Sequence, residues 1–327
     1  MRSFALLLVG WLSAPFVDGQ TYVGNLSLTN QAQVNSFSYT EVTGYLAIHG
    51  NDITNLSQVA SSIARVGDYL YIGDNPALIT VNGFNSLTNV GGGFYVYRNT
   101  NLVSFSGFAA LRETGDNIEF YRNPSLVSIT GFNSLQTAGY SMEFSYNPVL
   151  TNLPAFESLR TINSSLFILN NASLTRIKGF NALRFVDWSF DISNNTNLSS
   201  ICGFYDYLSI TNYYTGGGAF YVTNNSANLP TTFQGLLNYG PCPDNCAITA
   251  ISFANSDQCV VTWKAARDAT YTLQSCEDLS AAPPVWTNVT GIIDLPGPLA
   301  APWSLSGTNT GVTAIPRRFY RVRAVIP

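Results

Sequence analysis

Between Leu70 and Ile201 the apolar positions follow one template, a 24-residue unit repeated in tandem. Each unit carries two apolar residues spaced two apart: Leu70/Ile72, Phe94/Val96, Ile118/Phe120, Met142/Phe144, Leu166/Ile168 and Phe190/Ile192. Period two is the mark of a strand with one buried face. Then come apolar residues at every third position, such as Leu78, Val81, Phe84 and Leu87, and in the next unit Leu102, Phe105, Phe108 and Leu111. A spacing of three fits neither helix nor strand. It predicts a coil with corners, in which each short segment sends one side chain inward. Asparagines at 51, 75, 99, 123, 147, 171 and 195 keep the same register.

A single unit of this size cannot bury its own apolar side, so the units must stack. Stacking predicts parallel strands that rise by ~4.8 Å per coil. Like side chains then lie on like, giving a Phe ladder and a Leu ladder inside. The asparagines are expected to form a third ladder, their amides bonding backbone at the bend after the strand. Gly83, Gly107, Gly131, Gly179 and Gly203 directly precede the Phe position, where a turn needs them. The last coil departs from the period: Asn225 follows Asn195 at a longer interval, and the six extra residues fit a bulge at 213–218. A short helix over 229–239 is expected to cap the open end, as an open solenoid end exposes apolar residues and strand edges.

These residues carry a resemblance. Leu-Tyr-Ile-Gly-Asp-Asn-Pro-Ala-Leu at 70–78 is similar to a leucine-rich-repeat core. The unit containing Gly-Phe-Asn-Ser-Leu, at 83–87 and 131–135, resembles the receptor L domain. That is the β-helix of insulin- and epidermal-growth-factor-type receptors and of many secreted bacterial and fungal wall proteins. Residues 30–37 resemble the short helix that caps such coils. The resemblance covers roughly residues 22–226 and implies an all-β fold: a right-handed parallel β-solenoid of 24-residue coils. It implies a binding role, with no catalytic residues and no ligand contacts to transfer. The capped solenoid is assigned to residues 20–246.

From residue 247 the period stops and short alternating strands take over. Segments at 248–253, 259–263, 270–275, 285–289 and 319–325 read as a small antiparallel β-sandwich occupying 247–327. Val-Thr-Trp at 261–263 and Phe-Tyr-Arg-Val-Arg at 319–323 resemble a fibronectin-III-like module of secreted bacterial proteins, which implies spacing or surface attachment.

Charge and targeting narrow the setting. Only 10% of residues are charged and the net charge is −4, which argues against a nucleic-acid partner, since phosphate binding needs a clustered excess of Lys and Arg. Residues 1–19 read as a signal peptide: Arg2, a short apolar run at 4–12, then small residues before Gln20. That run is too short to span a bilayer, and no other segment reaches membrane length, so a secreted or cell-surface protein is expected. Five cysteines suit an oxidising compartment. Cys259 and Cys276 flank an expected hairpin and are placed to pair across it. Cys202, Cys242 and Cys246 gather at the end of the solenoid, giving one pair and one leftover thiol, with the choice open. Zinc lacks a second ligand pair beside Cys242 and Cys246, so neither metal nor cofactor is expected. Sequons stand at Asn25, Asn55, Asn163, Asn171, Asn194, Asn197, Asn224 and Asn288, of which Asn171 doubles as a ladder position.

The outward rows of the strands hold the candidate chemistry. They carry Tyr71, Tyr95, Tyr97, Glu119, Tyr121 and Glu143, and beyond the strand ends Arg98, Arg122 and Tyr146. Aromatic rings and planar guanidinium groups suit contact with an unknown extracellular protein or glycan. Tyrosines on a parallel sheet also stabilise it without any ligand. A third reading is a polysaccharide-degrading enzyme using Glu119 and Glu143 on adjacent coils. Against it, the arginines beside them are expected to make an ion-pair ladder. His49, the only histidine, is read as a solvated surface side chain, which leaves a nucleophilic triad without a base.

Overall fold

The computed structural model describes residues 19–210, 218–237, 248–255, 258–264, 270–276, 287–289, 295–296, 304–310 and 319–325. All but Gly19 of the expected leader at 1–19, most of the bulge at 213–218, and Cys242 and Cys246 lie outside these residues.

The apolar template folds as its spacing predicts. Strands Leu26–Leu28, Leu46–Ile48, Leu70–Gly73, Phe94–Tyr97, Ile118–Tyr121, Met142–Ser145, Leu166–Leu169, Phe190–Ser193 and Phe220–Thr223 line up in chain order as one parallel sheet. Leu70, Phe94, Ile118, Met142, Leu166 and Phe190 are mutual register partners, each one coil apart. A second parallel sheet of eight short strands, from Gln20–Tyr22 to Phe185–Val186, and a third of three strands form other walls of the coil. Leu78, Val81, Phe84 and Leu87, and their counterparts in later coils, are buried in one continuous core.

The core is layered by repetition. Phe84 and Phe108 stack at 4.7 Å with planes 7° apart, and Phe108 stacks on Phe132 at 5.4 Å and 5°. The column continues through Phe156 and Phe180 to Phe204. Burying each Phe contributes about 1.5–3 kcal/mol. The turn before each ring is left-handed at Gly83, Gly107, Gly131 and Gly179, and at Phe84, Phe108, Phe132 and Phe156 themselves. Gly203 differs: it sits in the 3-10 turn Cys202–Phe204 and does not share the positive φ.

The asparagine column is real but shifted by one coil. Each backbone N–H and side-chain Nδ2 of Asn75, Asn99, Asn123, Asn147, Asn171 and Asn195 donates to Oδ1 of the next asparagine, at 2.9–3.4 Å. Nδ2 also donates to a strand carbonyl of the preceding coil, as Asn99 does to Ile72 at 2.9 Å. Asn225 closes the column in spite of its longer spacing, because strand Phe220–Thr223 keeps register with Phe190–Ser193. Asn51 does not belong to the column. Its bend is tied to the cap helix Gln31–Asn35: Gln31 Oε1 accepts from the backbone of Thr54 and Asn55, and Asp52 accepts from Gln31 N. Asn51 is therefore turned into solvent, and Asn75 Oδ1 is left buried without a partner.

Both ends are closed by short helices. At the start Gln31–Asn35 and Ser57–Ser62 bury Val34 and Val59, and Asn30 caps the first by accepting from Gln33 N at 3.0 Å. At the far end Tyr205–Ile210, which the sequence pattern did not suggest, packs Tyr207 on Phe190, and Phe233 of Phe233–Leu237 meets Phe220.

The C-terminal residues form two antiparallel sheets. Gln258–Lys264 lies between Ile248–Asn255 and Ser304–Thr310, while Thr270–Cys276 pairs with Phe319–Val325, Thr287–Asn288 and Leu295–Pro296. Cys259 and Cys276 therefore sit on different sheets, not on two arms of one hairpin. The reason is topological: both edges of the Cys259 strand are already occupied.

Candidate functional site

The nine-stranded sheet turns every second side chain outward, and register places like positions side by side. Tyr45 and Tyr69 stack at 4.6 Å and 11°, and Tyr69 meets Tyr95 edge-on. Tyr95 touches Tyr97 at 5.6 Å, Tyr97 touches Tyr71 and Tyr121, and Tyr121 meets Tyr146 edge-on at 5.5 Å. The result is an unbroken tyrosine wall running across the strands, along the solenoid axis.

Two open grooves lie on this wall. The first, of about 690 Å³, is lined by Tyr45, Tyr69, Tyr71, Tyr95, Tyr97 and Glu119, with His49 at its edge. The second, of about 450 Å³, is lined by Arg98, Arg122 and Tyr146 over Pro124 and Pro148. Its side chains come from the bend after the strand. Asp74, Arg98, Arg122 and Tyr146 all have a φ of 52–59°, a left-handed conformation uncommon for non-glycine residues. The bend is held by backbone bonds to the next coil, such as Arg122 N to Ser145 O at 3.1 Å.

The charged groups divide between the grooves. Arg98 clamps Asp74 through Nε and Nη2, both at 2.7 Å, and its Nη2 reaches Tyr71 Oη at 3.3 Å. That guanidinium holds the Asp74 carboxyl below its usual value. Tyr71 also donates to Asp74, and burial above all pushes the Tyr71 and Tyr95 hydroxyls up to about 12. Glu119 accepts from the Tyr97 hydroxyl and from Asn117 Nδ2 at 2.8 Å. Burial, then the nearby Glu143, raises its pKa to about 7. Glu143 is its register partner on the next coil.

The expected ion-pair ladder between the arginines and these glutamates is absent among the described residues. Arg98 pairs with Asp74 instead, and Arg122 lies over the rings of Tyr121 and Tyr146 at 5.1 and 5.7 Å. Position explains it: Arg98 and Arg122 stand three residues beyond Tyr95 and Glu119, ~10 Å along an extended chain.

The structure thus brings Tyr71, Tyr95, Tyr97 and Glu119 into one groove and Arg98, Arg122 and Tyr146 into the other, with Tyr121 between and Glu143 beside Glu119. Tyr45, Tyr69 and His49 were missed. Continuing the outward alternation two residues back from Tyr71 reaches Tyr69, and one coil earlier Tyr45, so that signal was legible. His49 is half-buried at the groove edge, close enough to Asp74 to lower its pKa, rather than isolated in solvent. Among the described residues no group of three His, Cys, Asp or Glu is gathered as metal ligands, and no helix is long and apolar enough to cross a membrane.

Glu119 predicts a pH dependence. Its folded value near 7 lies above the ordinary 4.5, so the folded chain binds this proton more tightly than the unfolded chain. The associated stability is complete below about pH 4.5 and is lost as pH rises through 7. Because the group is partly exposed, the effect is discounted to about 1 kcal/mol. Thermal melts from pH 5 to 8 should show wild type losing more stability than Glu119→Gln. Parallel pH profiles for the two proteins would refute the assignment.

No protein-family model matches the chain, and no curated protein matches it.

Proposed function

We propose that this is a secreted or cell-surface recognition protein that binds an extracellular glycan or protein through the tyrosine wall of its solenoid. In this reading residues 20–246 are a right-handed, receptor-L-domain-like coil. Residues 247–327 are a fibronectin-III-like sandwich that spaces or attaches it. The supporting observation is the wall itself. Seven tyrosines from successive coils touch in sequence, and five of them line one open groove. Tyrosine offers a rigid ring face and a hydroxyl at small entropic cost, which suits ligand contact.

A glycan array followed by calorimetry on the full chain tests this. Tyr95→Ala and Tyr97→Ala should each weaken the best ligand by 10-fold or more, about the 1.4–2 kcal/mol of a contact hot spot. Their melting points should stay near that of wild type. Unchanged affinity in both variants, or no ligand for wild type, would sink the proposal.

One observation favours a second reading, hydrolysis of a glycoside. Glu119 keeps its proton toward neutral pH, as a general acid must, and Glu143 offers a second carboxylate one coil away. The same incubations would then release new reducing ends, and Glu119→Gln or Glu143→Gln would abolish them. Binding without cleavage leaves recognition as the activity.

A further inference from the structure

We infer that the ligand is an acidic polysaccharide, with a hexuronate ring against the tyrosine wall and its carboxylate on Arg122. This rests on the proposed binding role of the wall and specifies the chemical class of what it binds.

The first argument is charge. Two arginines line the second groove, and only one is neutralised. Arg98 is engaged by both oxygens of Asp74. Arg122 makes no ion pair among the described residues, in a chain with a net charge of −4. A cation without a counter-charge at the rim of a groove is complementary to an anion.

The second argument is preorganisation. The Arg122 backbone is fixed in the left-handed bend at φ 56°, bonded to Ser145 O. Its guanidinium rests on the rings of Tyr121 and Tyr146. Such stacking leaves the edge of the fork free, and that edge matches the two oxygens of a carboxylate.

The third argument is the layout across the wall. Arg122 stands on one flank, and Glu119 and Glu143 stand toward the other, separated by the outward rings of the strands. A ligand spanning the wall meets a donor fork on one edge and carboxyl acceptors on the other. A hexuronate matches this, with a carboxylate on one side of a ring and hydroxyl donors elsewhere. Glu119, which already accepts from Tyr97 and Asn117, would accept such hydroxyls. An acidic peptide offers carboxylates but no comparable row of hydroxyl donors, and it would place negative charge beside the glutamates. Tyr71 and Tyr95, and Tyr97 and Tyr121, are register partners at the coil spacing of ~4.8 Å, so a linear polymer lying along the axis meets more than one ring in succession.

The test is calorimetry of the full chain with oligogalacturonate, oligomannuronate and their methyl esters, at low and high salt. Esterification removes the charge and keeps the ring. At least one acid form should bind 10-fold or more tighter than its ester at low salt, and the gap should shrink as salt rises. Arg122→Gln should bring the acid form down to its ester while leaving the ester unchanged. Circular dichroism and a melt would confirm that this exposed substitution leaves the fold intact. Equal affinity of acid and ester, no effect of Arg122→Gln on the acid form, or tighter binding of polyglutamate than of either uronate would overturn the inference. If neutral glycans bind through Tyr97 but uronates gain nothing, only this inference fails. If Tyr97→Ala changes nothing for any ligand, the wall itself is not the binding surface, and both fall.

Discussion

Asn123→Ala is expected to destabilise the solenoid by about 3–5 kcal/mol, the scale of a broken buried hydrogen-bond network. Asn123 Oδ1 accepts from both the backbone and the side chain of Asn99, and its Nδ2 donates to Val96 O at 2.9 Å. Truncation deprives the buried Asn99 N of its acceptor, removes one of the two bonds of Asn99 Nδ2 and takes a side-chain donor from Val96 O, at ~1–3 kcal/mol each. The column itself supplies two controls. Asn75 has no donor to its Oδ1, so Asn75→Ala chiefly removes the side-chain donor to Ile48 O and should cost about 1–3 kcal/mol. Asn51 is exposed and outside the column, so Asn51→Ala should stay within about 0.5 kcal/mol. Urea unfolding of the three variants reads the gradient. Equal midpoints for Asn123→Ala and Asn51→Ala would show that the column contributes nothing.

Gly107→Ala should be comparably severe, for a steric reason. A Cβ at Gly107 would stand 1.8 Å from Gly83 O in the coil below, on a backbone with φ 111°. Neither atom can swing away, since each is backbone held by the stack. The cost combines left-handed strain of ~1–2 kcal/mol with displacement of neighbouring coils, and should exceed about 3 kcal/mol. Gly24 separates the two effects: it has a φ of 105° but nothing within 4 Å of an added Cβ. Gly24→Ala should therefore show the strain alone, about 1–2 kcal/mol. Similar losses for the two variants would refute close coil contact as the cause. Nature has tested the position once. Ala155 occupies the glycine site of its own coil, and there the residue is not left-handed.

The sequence was legible where period and space coincide. In a 24-residue repeat identical positions are neighbours one coil apart, so the inward pairs, the Phe column and the outward tyrosine rows follow by counting. Counting failed at the ends. Asn51 obeys the period, but the bend after it is tied to the cap helix through Asp52, Thr54 and Asn55, while Asn225 breaks the period yet joins the column. An insertion changes the distance along the chain but need not change the register of the next strand.

The site divides in the same way. Strand alternation determines that Tyr71, Tyr95, Tyr97, Glu119, Tyr121 and Glu143 face outward, because the side-chain period of an extended chain is two. It cannot determine which of them meet. That depends on the left-handed bend, which carries Arg98 to Asp74 and Arg122 onto two tyrosine rings instead of to the glutamates. Which strand borders Cys259 was likewise settled by three-dimensional pairing, since alternation names a strand but not its neighbours. Local pattern thus dictated the coil and the direction of each side chain. Tertiary packing chose the partners, because partnership depends on where the backbone turns and on which edges and charges are already taken.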